Sequence, residues 1–284
     1  MGYRKIFDYG VNIHTYEFNP KEERFSYEIG ENMKLETIDK LPRPKDDESV
    51  ACVINWNFFD TKICFNGYGE IEVNGKQIQG ASALFPSLSF KDNKLTYGDI
   101  KGADIGLGIG ILLVLDGKKN IINKGKVPSG KDTRTAFGQK KNGNIFIVVC
   151  EGNDLKSKGL SANDMADFLL KNDVYIGAMG DSGGSSGMMI NGKYIYKNEN
   201  RKIAAGLVVY KKKTNLIEDK PTSEPKKDIR KTTSDLNIRK SPTSLLPNKV
   251  GIYPKNSLIE VLEIQGNWCR TAKGWVSGSY LVKV

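Results

Sequence analysis

The stretch Gly180-Asp181-Ser182-Gly183-Gly184-Ser185-Ser186-Gly187 gathers one carboxylate, three hydroxyls and four glycines. Glycines let a backbone approach a ligand closely and aim N–H groups at an anion, while Asp181 can activate water or face a cationic centre. A second cluster, Asn55-Trp56-Asn57-Phe58-Phe59-Asp60, sets two amides and a carboxylate behind an apolar run. An Asx-rich turn accounts for that cluster equally well. Thr133 and Arg134 precede another apolar segment, where a guanidinium fork suits a phosphate or carboxylate. Glu151 follows the apolar run that ends at Cys150.

These groups need a frame, and the chain reads as strands joined by glycine turns. Apolar runs at 174–179 and 188–190 flank the glycine-rich loop, and Asn191-Gly192 turns the chain into a strand at 194–196. Residues 11–18 and 24–29 alternate. Residues 50–54 are wholly apolar, as strands buried on both faces are, and 144–150 read as another buried strand. Runs at 70–73, 87–90, 105–115 and 204–210 complete the predicted strands. The clearest helix starts at Ser161 as N-cap, with Asp164 at N3 and an apolar face of Met165, Phe168 and Leu169.

Residues 180–184 spell GDSGG, which resembles the nucleophile stretch of chymotrypsin-like serine proteases. Such a serine needs a histidine base oriented by a carboxylate. The sole histidine, His14, sits in an alternating strand pattern and reads as structural.

Hydrophobic residues make up 39% of the 284 and charged residues 27%, the proportions of a soluble globular chain. No run of about 18 apolar residues occurs, so no membrane span is expected. The first eight residues lack an apolar signal core, so synthesis in the cytoplasm without a signal peptide is expected. Cys52, Cys64, Cys150 and Cys269 show no CxxC pairing; buried free thiols are expected, no metal site is assigned and no cofactor is named. Residues 1–210 carry 28 basic and 26 acidic side chains, against 15 and 7 in residues 211–284. The basic C-terminal part suits an anionic partner. Residues 211–231, charged and containing proline, read as a linker between domains at 1–210 and 232–284.

In order, residues 55–59, 134–138, 159–161 and 181–186 resemble the motif series of the phosphodiester glycosidase family. That family shows Asn-Gly-Gly-Phe-Phe, Arg-Thr-Ala-x-Gly, Gly-Leu/Met-Thr and Asp-Gly-Gly-Gly-Ser-Ser. The resemblance spans roughly residues 8–210 and implies an α+β, mixed-sheet hydrolase domain that cleaves a sugar–phosphodiester bond. It implies Asp181 as the catalytic carboxylate, with Asp60 and Glu151 in reserve, and Arg134 on the phosphate. Asn55, Asn57, Thr133, Ser182, Gly183, Gly184 and Ser185 are the implied substrate contacts. Trp56 and Asn57 stand where the family has glycines, and Ser182 replaces the loop's first glycine, which implies a reshaped sugar pocket.

Residues 236–242, 266–270 and 274–281 resemble a bacterial SH3 domain, which implies a small all-β barrel that binds cell wall, with Trp268 and Trp275 as contacts. Hydrolase, linker and wall-binding module together resemble a phage or bacterial lysin. The expected partner is a Gram-positive cell-wall glycan or a teichoic-acid-like anionic polymer, reached once the membrane is breached; no nucleic acid partner is expected. A non-catalytic wall-glycan-binding protein and a peptidoglycan hydrolase on the same scaffold are the alternative readings.

Overall fold

The computed structural model describes residues 1–59, 68–152, 158–213, 228–244 and 247–283. Contacts divide the chain into two compact units, Met1–Thr214 and Asn215–Val284.

Among the described residues, three antiparallel sheets and one α-helix build the first unit. The largest sheet has seven strands, ordered Gly2–Asp8, Val11–Phe18, Ile145–Cys150, Arg134–Lys140, Val174–Met179, Ile111–Leu115 and Lys118–Ile122. Its strand Ile145–Cys150 is apolar throughout because both faces are covered. Ile145, Ile147 and Val149 face the core shared with the other two sheets, while Phe146, Val148 and Cys150 face the helix. That helix, Ala162–Lys171, opens with a reciprocal capping box between Ser161 and Asp164, and buries Met165, Phe168 and Leu169.

The second sheet runs Lys193–Lys197, Gly187–Ile190, Glu48–Asn55, Ala205–Lys212, Arg24–Ile29. The third runs Lys76–Gln79, Ile71–Val73, Ile105–Gly108, Ser87–Lys91, Lys94–Tyr97. The α+β expectation holds, with every recorded strand pair antiparallel. The predicted strand at 105–115 is two strands in two sheets. The chain leaves the third sheet at Gly108 and joins the first at Ile111, passing through Gly110, where a Cβ would lie 2.6 Å from the Phe58 ring. The N-terminal strand Gly2–Asp8 was not predicted. It pairs with Val11–Phe18 across a hairpin at Tyr9 and Gly10, both at positive φ. None of its residues is fully buried, and Phe7 is exposed, so no apolar alternation marks it in the sequence.

The second unit holds a three-stranded sheet (Leu258–Val261, Asp228–Thr232, Leu281–Lys283) and a five-stranded sheet (Lys249–Tyr253, Leu236–Arg239, Gly274–Ser277, Trp268–Thr271, Glu263–Gln265). They share a small core of Leu236, Ile238, Ile259, Val261, Cys269 and Val276. The expected closed SH3-like barrel is not seen. The chain passes from one sheet to the other at exposed Leu262, whose N–H still donates to Arg270 O at 2.9 Å, and the described strands form two open sheets. The 211–231 stretch read as a linker contributes strand at both ends, Lys211 and Lys212 in one unit and Asp228–Lys231 in the other; residues 214–227 lie outside the described residues.

Candidate active site

The glycine-rich loop leaves the largest sheet at Met179 and enters the second sheet at Gly187, so it bridges two layers. Backbone bonds tie it down: Gly180 N–H donates to Thr135 O at 3.1 Å, Asp181 N–H to Trp56 O at 2.7 Å and Gly183 N–H to Thr133 O at 3.3 Å. The motifs at 55–59, 133–138 and 180–187 are therefore one assembly.

Asn55 is the clamp of that assembly. Its Nδ2 donates to Asp181 O at 2.7 Å, and its Oδ1 accepts from Thr135 Oγ1 at 2.8 Å and Gly187 N–H at 3.1 Å. Three of the four bonds an amide can make are taken up inside the protein, so Asn55 orients the loop rather than a sugar. Trp56 also departs from the sequence reading. It follows the strand's alternation from Ile54 into the shared core, is fully buried, and donates Nε1–H to Gly108 O at 3.2 Å. It floors the loop, since a Cβ on Gly180 would lie 2.8 Å from its ring, and does not project into a sugar pocket.

Asn57 is 1% exposed, yet neither Oδ1 nor Nδ2 has a hydrogen-bond partner. Thr133, Ser185, Ser186 and Tyr196 likewise bury hydroxyls without a well-formed bond. Each such group costs about 1–3 kcal/mol if left unpaired. A cluster of them on the loop and the segments bonded to it is what a polar substrate would satisfy.

Asp181 is partly exposed at the loop's head, and Ser182 N–H donates to its Oδ1 at 2.9 Å. Burial pushes its carboxyl up to about 6; the nearby Ser185 hydroxyl, the Ser182 N–H and the charge of Arg201 pull the other way. Ser182 turns its hydroxyl to Gly180 O at 3.2 Å. The protease reading has no support here, because both ring nitrogens of His14 are engaged elsewhere. Gly183, at φ +64°, occupies the left-handed region that favours glycine. Gly184 lies beneath Glu199 and Arg201, where a Cβ would come within 2.5 Å and 2.6 Å of their tips.

The expected fork of Arg134 toward phosphate is turned inward. Its Nε donates to Leu160 O at 3.2 Å and its Nη2 to Gly130 O, so the side chain ties the strand start to the approach of the helix. Arg201 is the cation that sequence reasoning missed. It is exposed, paired with Glu199 at 2.8 Å, and close enough to act on Asp181. Nothing in its charged, turn-like surroundings sets it apart in the sequence.

Glu151 is held in a network that meets the loop's polar set at Tyr196, whose ring stacks on His14. Asn12 Nδ2 donates to it at 2.8 Å, His14 Nε2 lies at 2.7 Å and Lys5 Nζ at 3.6 Å. Burial alone would raise its carboxyl, but the bonds from Asn12 and His14 outweigh it and hold it below the usual range. His14 is sandwiched between the rings of Tyr3 and Tyr196, with the Tyr3 hydroxyl 2.9 Å from Nδ1. Asp60 and Cys64 lie outside the described residues; Cys52, Cys150 and Cys269 are buried free thiols. In the second unit Trp268 and Trp275 are both half-buried and outside the core. Trp268 lines a groove with Asp235, Arg239, Asn267 and Tyr280, and Trp275 does not.

The phosphodiester glycosidase family model matches residues 47–210. A stretch of 97 residues is 34% identical to an SPbeta prophage-derived uncharacterized protein, YomE, of Bacillus subtilis strain 168. That stretch is 34% of this chain and 15% of the relative, so the chain spans only a small part of that protein's length. The catalytic domain of zebrafish N-acetylglucosamine-1-phosphodiester alpha-N-acetylglucosaminidase, auto-inhibited by its pro-peptide, superposes with a TM-score of 0.59 at 17% identity, over 73% of this chain and 81% of that one. A hypothetical protein from Synechocystis superposes with a TM-score of 0.62 at 12% identity, over 74% and 61% of the two chains. At these identities the likeness to the solved structures is one of fold. Among the described residues, no helix is long and apolar enough to cross a membrane.

Proposed function

Since the chain belongs to the phosphodiester glycosidase family and carries its hydrolase domain, we propose that it hydrolyses a sugar C1–O–P linkage in an anionic, teichoic-acid-like bacterial cell-wall polymer. Asp181 carries this reading: a carboxyl raised to about 6 by burial, on a glycine loop, beside the Arg201 cation and a set of unpaired polar atoms. Above pH 6 it is ionised, able to accept a proton from attacking water or to face the oxocarbenium-like centre. A phosphate leaving group needs little protonation, so one carboxylate serves where ordinary glycosidases use two. Arg201 offers charge to the phosphate, and Asn57 and Thr133 offer an amide and a hydroxyl to the sugar. Arg134 and Asn55 act through the segments they hold.

The prophage origin of the 34%-identical relative supports a phage lysin setting. So does the charge of residues 211–284, 15 basic against 7 acidic. In this reading the second unit binds wall in an SH3-like manner through the Trp268 groove, and the enzyme acts after release from the cytoplasm. The test is mass spectrometry of the products released from purified Gram-positive walls. Free sugar from a phosphodiester-linked glycan is the expected product. Asp181→Asn should lower its release at least about a hundredfold, the low end for general acid–base work. Near-normal turnover by the variant would move the chemistry to another carboxylate.

A further inference from the structure

The third sheet of the first unit carries a second built polar site. Ile71, Leu107 and Leu88 are aligned across its three central strands and enter the shared core. Period-two alternation therefore turns Glu70, Glu72, Gly106, Gly108, Ser87 and Ser89 to the opposite face. That face is buried too: Glu70 is 0% and Glu72 2% exposed. One oxygen each from Glu70, Glu72 and exposed Asp99 lie within 4.8 Å of one another.

Neither carboxylate oxygen of fully buried Glu70 has a well-formed hydrogen bond, nor has the Ser87 hydroxyl, although Ser87 and Asp99 both lie close enough to act on Glu70. The charges acting on Glu70 are the carboxylates of Asp99 and Glu72, both of its own sign. Glycine makes the room: a Cβ on Gly106 would sit 2.8 Å from Glu70 Oε1 and 2.8 Å from Glu72 Cβ. Clustered like charges withdrawn from water are costly unless a cation joins them.

We propose that Glu70, Glu72 and Asp99 bind a hard divalent cation, Ca²⁺ foremost, with Ser87 Oγ as a further oxygen donor. All donors are oxygen, which suits Ca²⁺ or Mg²⁺ over the thiolate- and imidazole-seeking metals. The three carboxylate oxygens lie within 4.8 Å of one another, close enough to share one ion, and the flexible six- to eight-oxygen shell of Ca²⁺ tolerates such a mixed set better than the strict Mg²⁺ octahedron. Asp99, at the surface, provides the way in. The cation would pin the loop after Tyr97 to the strand Ile71–Val73, whose neighbour holds the Gly108 carbonyl under Trp56.

The full chain, stripped with EDTA and dialysed, is titrated with Ca²⁺, Mg²⁺ and Mn²⁺ and followed by calorimetry and thermal melting. Saturable Ca²⁺ binding and a melting temperature raised by several degrees are expected, with smaller effects from Mg²⁺. Asp99→Asn, at an exposed position that the fold tolerates, should weaken Ca²⁺ binding about tenfold or more, and Glu70→Gln should abolish it. The absence of heat and melting shift with all three ions would overturn the proposal. So would wild-type affinity in Asp99→Asn, or a proton serving in place of the cation, seen as a Glu70→Gln protein stabilised in EDTA while the wild type ignores all three ions.

Discussion

Asn55 and Asn57 are two residues apart and chemically identical, yet their surroundings assign them opposite work. Asn55→Ala removes three buried hydrogen bonds, worth about 1 kcal/mol each, and should lower the melting temperature by several degrees. Asn57→Ala removes an amide with no internal partner, so the melt should hold or rise while KM increases. Differential scanning calorimetry beside steady-state kinetics separates the two. Asp181 makes a similar pair of claims. Its folded pKa lies above its ordinary 3.8, at about 6, so the native state holds the proton more tightly than the unfolded chain. Stability then falls as pH rises from about 4 to 6, and the loss persists above that window. Asp181→Asn should therefore melt higher than wild type at pH 7 and lose that advantage below pH 4. Wild-type kcat/KM should climb through pH 6, in the direction of a base.

At the scale of elements, glycines distinguish chemistry from architecture. Gly184→Ala meets only the tips of exposed, flexible Glu199 and Arg201, which swing aside at little cost. It should leave the melt unchanged and raise KM by displacing the loop's cation. Gly159→Ala meets backbone, with its Cβ 1.9 Å from Asp132 O at φ +73°, and should destabilise the fold outright. Thermal melts of the two proteins check this pair. The helix was legible because its signals are local, a serine cap with an acid three residues on. The glycine loop was legible for the same reason. Less visible was whatever depends on partners distant in sequence. Arg134 shows its charge in the sequence but not the Gly130 and Leu160 carbonyls that take it up. Arg201 reads as one more charge in a turn until the fold lays it over Gly184. Trp56 could have been assigned inward from Ile54, two residues earlier, had alternation been weighed above the motif.

At the scale of the whole molecule, the boundary of the second unit decides how it can be studied. Strand Asp228–Thr232 is the middle strand of the three-stranded sheet, paired on both sides. A fragment beginning at 232 loses it and should fail to fold, whereas residues 215–284 should fold and sediment with Gram-positive walls. Sedimentation should weaken as salt rises, given the 15 basic and 7 acidic side chains of residues 211–284. Trp268→Ala should reduce it further, and Trp275→Ala should matter less. Circular dichroism and a wall pull-down of the two fragments measure both statements.

The placement of Trp56 also makes the chain its own optical probe. Of three tryptophans, Trp56 alone is sealed from water, while Trp268 and Trp275 stand half in solvent. Acrylamide should quench the two outer indoles and spare a blue-shifted component from the inner one. Because Trp56 lies directly under Gly180 and its carbonyl holds the Asp181 amide, that protected emission should shift when the loop takes a sugar phosphate, reporting occupancy without a label.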